Sequence, residues 1–349
     1  MSAPEAIPIP DGLLLRIYRV AVLTRAVDQQ LWLLSRQGRA GFVLTARGHE
    51  VAQIASAAAM RRGQDSAWLY YRDMGVGLAL GVTPYEILLG ALARGADPHS
   101  GGRQLTTHLS SPALRIGSVS SAIAAHVPHA VGAAYAARLR GEESVAMCWF
   151  GDGATSEGAT HEAMNLAAIH RLPVVFLCEN NGLAISVPQR LQMPVERVSE
   201  RAAAYAMPGE SVDGTDAEAV YRAARAAVER ARGGGGPSLV EMRVPRITPH
   251  SSQDDDAYRT DEERAAAAAA DPLPRLRETL VERGMLAVDE DERMVREARE
   301  QVVADEDLAL AMPEPAPERA RCWLFAGDPP HGGVALPARY AGWTGVFDG

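Results

Sequence analysis

The sequence predicts an α/β protein built on an open, mostly parallel sheet flanked by helices, with helical extensions at both ends. Three observations predict it. Two unbroken apolar runs, Val145-Ala146-Met147-Cys148-Trp149-Phe150 and Val174-Val175-Phe176-Leu177-Cys178, have the length of strands buried on both faces. A helix-like stretch over 156–170 joins them, the arrangement of a βαβ unit with parallel strands. Each run closes on a polar cluster, Gly151-Asp152-Gly153 after the first and Asn180-Asn181 after the second, with 26 residues between the clusters. Both clusters then lie at the carboxyl ends of their strands, where open α/β sheets bind ligands.

The remaining elements follow in chain order. Leu13, Ile17, Val20, Leu23, Val27, Leu31 and Leu34 recur at helical spacing and predict a long N-terminal helix over about 12–38. A second helix is expected over 50–60, a short strand near 68–70, and a third helix over 84–94 opened by Pro84 in the first turn. Residues 95–121 are polar and Gly-rich, a long loop of the kind that often carries function. The Ala-rich stretch 123–140 predicts a helix leading into the first central strand. Beyond Asn181 a loop passes through Pro188 and Arg190, and a helix over 217–232 ends in Gly233-Gly234-Gly235-Gly236-Pro237. A strand over 238–244 leads to a polar segment, 245–262, expected to be an exposed loop. Residues 263 to about 304 read as helical. Residues 1–310 are thus expected to form one domain, and 311–349 an irregular Pro/Gly-rich tail that covers the body or packs on a partner subunit.

Composition excludes several chemistries. All 35 basic residues are arginine, so a Schiff-base mechanism lacks its nucleophile and a P-loop lacks its lysine. A net charge of −9 argues against a nucleic-acid surface. No basic region followed by an apolar core opens the chain, and no apolar run approaches the roughly 20 residues of a membrane span. The three cysteines form no CxxC or disulfide framework, and a cytoplasmic protein is expected.

Asp-Gly alone is an ordinary turn signal. Paired with Asn181 after the next strand, it supplies a carboxylate and an amide oxygen where strand geometry makes them converge. Such oxygens suit a hard divalent cation such as Mg²⁺, which shares its coordination with substrate phosphates. The rival is a dinucleotide fingerprint, which requires glycine at 156; that residue is Ser156, and the next glycine is Gly158. An unmetallated Asp152 would also face the pyrophosphate it had to accommodate.

The spacing of the two clusters matches the thiamine-diphosphate binding motif. The text around it, FGDGATSEGATHEAMNLAAIHRLPVVFLCENNGLAIS, resembles the α subunit of the E1 component of 2-oxo acid dehydrogenase complexes. The resemblance extends from about residue 12 to about 305. GRQLTTHLSS, SVSSAIAAHVPHAVGAAYAA, NNGLAISVP and RITPHSSQDDDAYRT resemble the branched-chain 2-oxo acid type; the pyruvate and acetoin types are the alternatives. An NAD-binding dehydrogenase, or a cofactor-binding subunit without activity of its own, is the alternative of a different class.

The resemblance implies the diphosphate-binding half of a thiamine-diphosphate fold. It makes Asp152, Asn181 and the Leu183 carbonyl the metal ligands, with Gly151, Gly153 and Ala154 alongside the diphosphate. It sets Arg72 on a phosphate, Tyr71 in the cofactor and substrate pocket, Ser121 on the diphosphate side and Ile123 on the aminopyrimidine side. A helix opening near Ser156 would point its amides at the anion. A loop histidine is ordinarily just solvated, but His250 matches the family's catalytic histidine, which contacts the diphosphate and reaches the reacting centre. Phe42 aligns with a substrate-side aromatic, and Ser251 with a serine phosphorylated in animal members. Glu179 stands where those members place a phosphate-binding arginine, so that contact is missing or replaced. Leu183 replaces an aromatic. Ala125 and His126 replace a Thr-Gln pair that binds potassium in some members, so no potassium is expected. The implied activity is oxidative decarboxylation of a branched-chain 2-oxo acid, with the acyl group passed to the lipoyl domain of an E2 acyltransferase. The carboxylate that activates the cofactor would come from a separate β subunit in an α2β2 heterotetramer.

Overall fold

Continuous apolar strands can be buried on both faces only if helices cover both sides of the sheet. In the computed structural model, which describes residues 7–10, 12–322 and 335–347, this is the arrangement. Five strands, β1 (Ser66–Trp68), β2 (Ala146–Gly151), β3 (Val174–Asn180), β6 (Gly209–Asp213) and β7 (Ser238–Arg243), pair in the order β1-β2-β3-β7-β6, every pair parallel. A two-stranded hairpin, β4 (Leu183–Ala184) with β5 (Val187–Pro188), follows β3. The helices are α1 (Leu13–Arg36), α2 (Glu50–Ala57), α3 (Met74–Leu80), α4 (Pro84–Ala91), α5 (His126–Leu139), α6 (Gly158–Ile169), α7 (Ala217–Arg232), α8 (Asp261–Ala269), α9 (Pro272–Glu282) and α10 (Val288–Leu310).

Alternation along the strands divides the core in two. Met147 and Trp149 of β2, Val175 and Leu177 of β3, and Val240 and Met242 of β7 face a large core shared with α1, α2 and α7. Cys148 and Phe150, Phe176 and Cys178, and Leu239 face the opposite layer, formed by α5 and α6. The register sets Phe150 beside Cys178 and Gly151 beside Glu179, so the two polar clusters emerge side by side.

Several boundaries differ from the sequence expectation, each for a physical reason. The helix expected from Ser156 is instead a 3₁₀ turn over Asp152–Ser156, then an extended Glu157, then α6. Thr155 and Thr160 hydroxyls donate to the carbonyls of Asp152 and Ala154 and hold this tight turn. The single helical stretch expected after 263 is broken into three. Asp271 caps α9 ahead of Pro272, and Gly284 takes a left-handed φ of 67° before α10. Two elements carried no periodic signal: α3, buried on all sides, and β6, a polar edge strand.

The 245–262 segment is not an exposed loop. Arg246, Ser251, Asp256 and Arg259 are buried: Asp256 pairs with both arginines, and Arg259 Nη1 donates to the Arg246 carbonyl at 2.6 Å. The described part of the tail turns back onto its own chain. Tyr340 and Val346 are buried, the Tyr340 hydroxyl bonds Asp305, and Arg16 Nε donates to the Val346 carbonyl at 3.2 Å. No described helix is long and apolar enough to cross a membrane.

Phe176 lies at the centre of the α5/α6 layer, fully buried and edge-on to Phe150 at 6.5 Å between ring centroids. Phe176→Ala should lower stability by about 3–5 kcal/mol, read as a lower urea midpoint at unchanged slope.

Candidate cofactor and active site

The carboxyl ends of β1, β2, β3 and β7 open on one side of the sheet, and a cavity enclosing about 910 Å³ of empty space, part of it open to solvent, lies there. Tyr70, Tyr71 and Arg72 enter it after β1, Gly151 to Ala154 after β2, Asn181 and Leu183 after β3, and His250 from the loop after β7. Ser121, Ile123 and His126 close it from the start of α5. Every site residue expected from the sequence therefore lines one cavity, except Phe42. Phe42 is absent from the lining, and its carbonyl accepts from the Thr106 hydroxyl at 2.9 Å.

The 3₁₀ turn sets Asp152 beneath the cavity floor. Gly153 lies against the β4–β5 hairpin, where an added Cβ would meet the Ala184 Cβ at 3.0 Å. Asp152 is 1% exposed, and among the described residues its side-chain hydrogen bond comes from Gln192 Nε2 at 3.1 Å. Burial raises its carboxyl above the usual range, with Gln192 and the Asn181 backbone amide working against that rise. A buried carboxylate with so few donors is costly unless a cation joins it. Asn181 and the Leu183 backbone sit beside it, giving one carboxylate, one amide oxygen and one carbonyl. This all-oxygen set fits Mg²⁺ chemistry. It is also why no cluster of three His, Cys, Asp or Glu side chains marks the site among the described residues.

Another part of the lining is cationic. Arg72 is buried, donates Nη1 to the Thr45 carbonyl at 2.8 Å and reaches His250 Nδ1 with Nη2 at 3.1 Å. Because Nδ1 accepts from a guanidinium, the neutral ring carries its proton on Nε2. Burial, then Arg72 and Arg246, push His250 down to about 4. The loop behind it is held by Asp254, which accepts from the His250 amide at 2.7 Å and from the Tyr258 hydroxyl at 2.6 Å. Arg246 Nη1 ties the same loop to the Ile185 carbonyl at 2.8 Å.

Three features escaped the sequence. His108 Nε2 lies 2.6 Å from the Ser121 hydroxyl, anchoring a residue of the cavity wall through the long loop. His126 bonds the Trp149 carbonyl at 2.7 Å through Nε2, while its Nδ1 is buried without a partner, and burial pushes it down to about 4. Glu179 lies behind the cavity rather than in its wall, fully buried, with Oε2 accepting from His49, Gln53 and Tyr70 at 2.7, 3.0 and 3.0 Å. Asp73 beside it is driven well upward by burial and by the Glu179 charge, which makes it the protonated partner of the pair. The Glu179 contacts span over a hundred residues of sequence, and the His108 and His126 contacts span 13 and 23, so no local pattern signals them.

With the geometry established, comparison with known proteins gives a consistent result. Residues 18–318 match the family described as "Dehydrogenase E1 component". The chain is 42% identical over 323 residues to the 2-oxoisovalerate dehydrogenase subunit alpha of Bacillus subtilis, covering 92% of this chain and 98% of that protein. It is 38% identical over 294 residues to the 3-methyl-2-oxobutanoate dehydrogenase subunit alpha of Mycobacterium tuberculosis, covering 83% and 77%. Against the pyruvate dehydrogenase E1 component subunit alpha of Staphylococcus aureus it is 35% identical over 300 residues, covering 85% and 78%. The family is thiamine-diphosphate dependent. The chain belongs to the dehydrogenase E1 component family.

Proposed function

We propose that this chain is the α subunit of a branched-chain 2-oxo acid dehydrogenase E1 and holds the diphosphate end of thiamine diphosphate through Mg²⁺. One observation carries the reading: a buried Asp152 and the Arg72–His250 pair line a single cavity at the strand ends. Asp152, Asn181 and the Leu183 carbonyl would hold the cation, and Arg72 the phosphate oxygens. When bound, thiamine diphosphate supplies the nucleophilic carbon and the electron sink for decarboxylation. His250, neutral and protonated on Nε2, offers a hydrogen-bond donor to an anion and can take up a proton once a negative charge lies beside it.

The cavity is incomplete by itself. Asp152 is its one lining carboxylate among the described residues, and it is committed to the cation, so the carboxylate that activates the cofactor must come from elsewhere. Ile123 and Ile185 line the mouth yet are 45% and 56% exposed, as apolar surface awaiting cover. Both features support a β subunit completing the site in an α2β2 assembly, with residues 1–310 acting as one α domain and the lipoyl domain of an E2 acyltransferase as acyl acceptor. A cytoplasmic setting fits Cys148, Cys178 and Cys322, all of which are free. The branched-chain reading over the pyruvate one is supported by the names of the relatives at 42% and 38% identity, against 35% for the pyruvate type.

Three outcomes are expected. Thiamine diphosphate should quench tryptophan fluorescence only with Mg²⁺ present, NAD should not, and Asp152→Ala should abolish the response. In the cofactor-free chain His250 should titrate near 4 by NMR and move upward when the diphosphate binds. Its folded pKa lies below the unfolded value of 6.5, so its stabilising contribution is complete above 6.5 and lost as pH falls toward 4; titration at or above 6.5 would contradict the burial argument. Co-expressed with an E1 β subunit, the chain should reduce a dye with 3-methyl-2-oxobutanoate or 4-methyl-2-oxopentanoate in preference to pyruvate. A pyruvate preference would overturn the branch assignment, and turnover by this chain alone would overturn the shared site.

A further inference from the structure

Asn181 can serve a cation only through its oxygen, and the amide is nearly symmetric in shape, so something must decide which end faces the metal. Its Nδ2 lies 3.3 Å from His49 Nε2. On the other side of that ring, Nδ1 lies 2.7 Å from Glu179 Oε2. Both His49 and Glu179 are fully buried, and the backbone at His49 is pinned. Gly48 before it takes φ 95°, and a Cβ there would come within 2.1 Å of the Pro245 carbonyl oxygen.

The hydrogen-bond logic runs in one direction. Glu179 Oε2 already accepts from Gln53 and Tyr70, and it also requires a donor in His49. The His49 proton therefore sits on Nδ1 and leaves a lone pair on Nε2. That lone pair accepts from an N–H and repels an amide oxygen. Asn181 must then turn Nδ2 toward His49 and Oδ1 away from it, where Oδ1 already accepts from the Leu183 amide at 3.1 Å. A flipped amide would set oxygen against the Nε2 lone pair and lose the cation ligand at once.

We propose that Glu179 and His49 form an orienting relay that fixes the amide of Asn181 with its oxygen toward the cation. His49 is thus a positioning residue, and Glu179 sets the tautomer that lets it act. The inference rests on the cation-site reading proposed above and gives Glu179 a task unrelated to phosphate binding.

The test uses the assembled complex with its β subunit, saturating thiamine diphosphate and Mn²⁺ as the probe, with free Mn²⁺ followed by electron paramagnetic resonance. His49→Leu should weaken Mn²⁺ binding about 10–100-fold, the usual effect of losing a partner behind a metal ligand. His49→Gln, which offers an N–H to Glu179 and an oxygen to Asn181, should recover most of that loss. In an Asn181→Asp background the His49→Leu penalty should vanish, because a carboxylate presents oxygen whichever way it turns. If the leucine variant does not fold, His49→Met replaces it. Unchanged Mn²⁺ affinity in the His49 variant, or a penalty that persists beside Asn181→Asp, would overturn the relay. Failure of the unsubstituted complex to bind Mn²⁺ with thiamine diphosphate would instead overturn the cation site itself.

Discussion

The buried carboxylate of Asp152 is the constraint from which the rest of the site follows. A carboxylate taken out of water, with Gln192 and the Asn181 backbone amide as donors, either takes up a proton or gains a cation, and the function proposed above rests on the cation. The fold supplies the other oxygens by register rather than by a local motif. Parallel pairing of β2 with β3 sets Gly151 beside Glu179, so Asp152 and Asn181 leave the sheet within one residue of the same level. The glycine at 153 then lets the β4–β5 hairpin close over the turn and bring the Leu183 backbone in. Helices on both faces make the parallel sheet possible, and the sheet makes the convergence possible.

Charge is distributed in layers around that point. Arg72 and His250 form the anion-facing wall, and burial, with the charges of Arg72 and Arg246 added to it, keeps the histidine neutral. Behind the floor, Glu179, Asp73, Gln53 and His49 form a second buried polar layer, joined to the cavity wall through the Tyr70 hydroxyl. Such layers are safe only when fully satisfied. Among the described residues the exceptions around the cavity include Glu179 Oε1, His126 Nδ1, Gln192 Oε1 and Arg246 Nε.

Much of this was legible in the sequence because it is local. Continuous apolar runs marked β2 and β3, and α7 falls on the residues expected from periodicity. The clusters that end those strands, with Tyr71, Arg72 and His250, announced the cavity through spacing and resemblance. What stayed hidden is long-range or aperiodic. β6 is a polar edge strand and α3 is buried all round, so neither alternates. The 245–262 segment reads as exposed because it is polar, yet its charges satisfy one another in the interior. Glu179 read only as a missing arginine; its partner His49 lies 130 positions away, and only the folded chain joins them.

In the function proposed above, a divalent cation bridges this chain's strand-end oxygens and the cofactor diphosphate. The most direct measurement is the anomalous-scattering map of the αβ complex crystallised with thiamine diphosphate and Mn²⁺. One peak is expected about 2.0–2.3 Å from Asp152, from Asn181 Oδ1 and from the Leu183 carbonyl oxygen, in a near-octahedral shell. A cation held by other residues, or a diphosphate bound with no peak at Asp152, would contradict it.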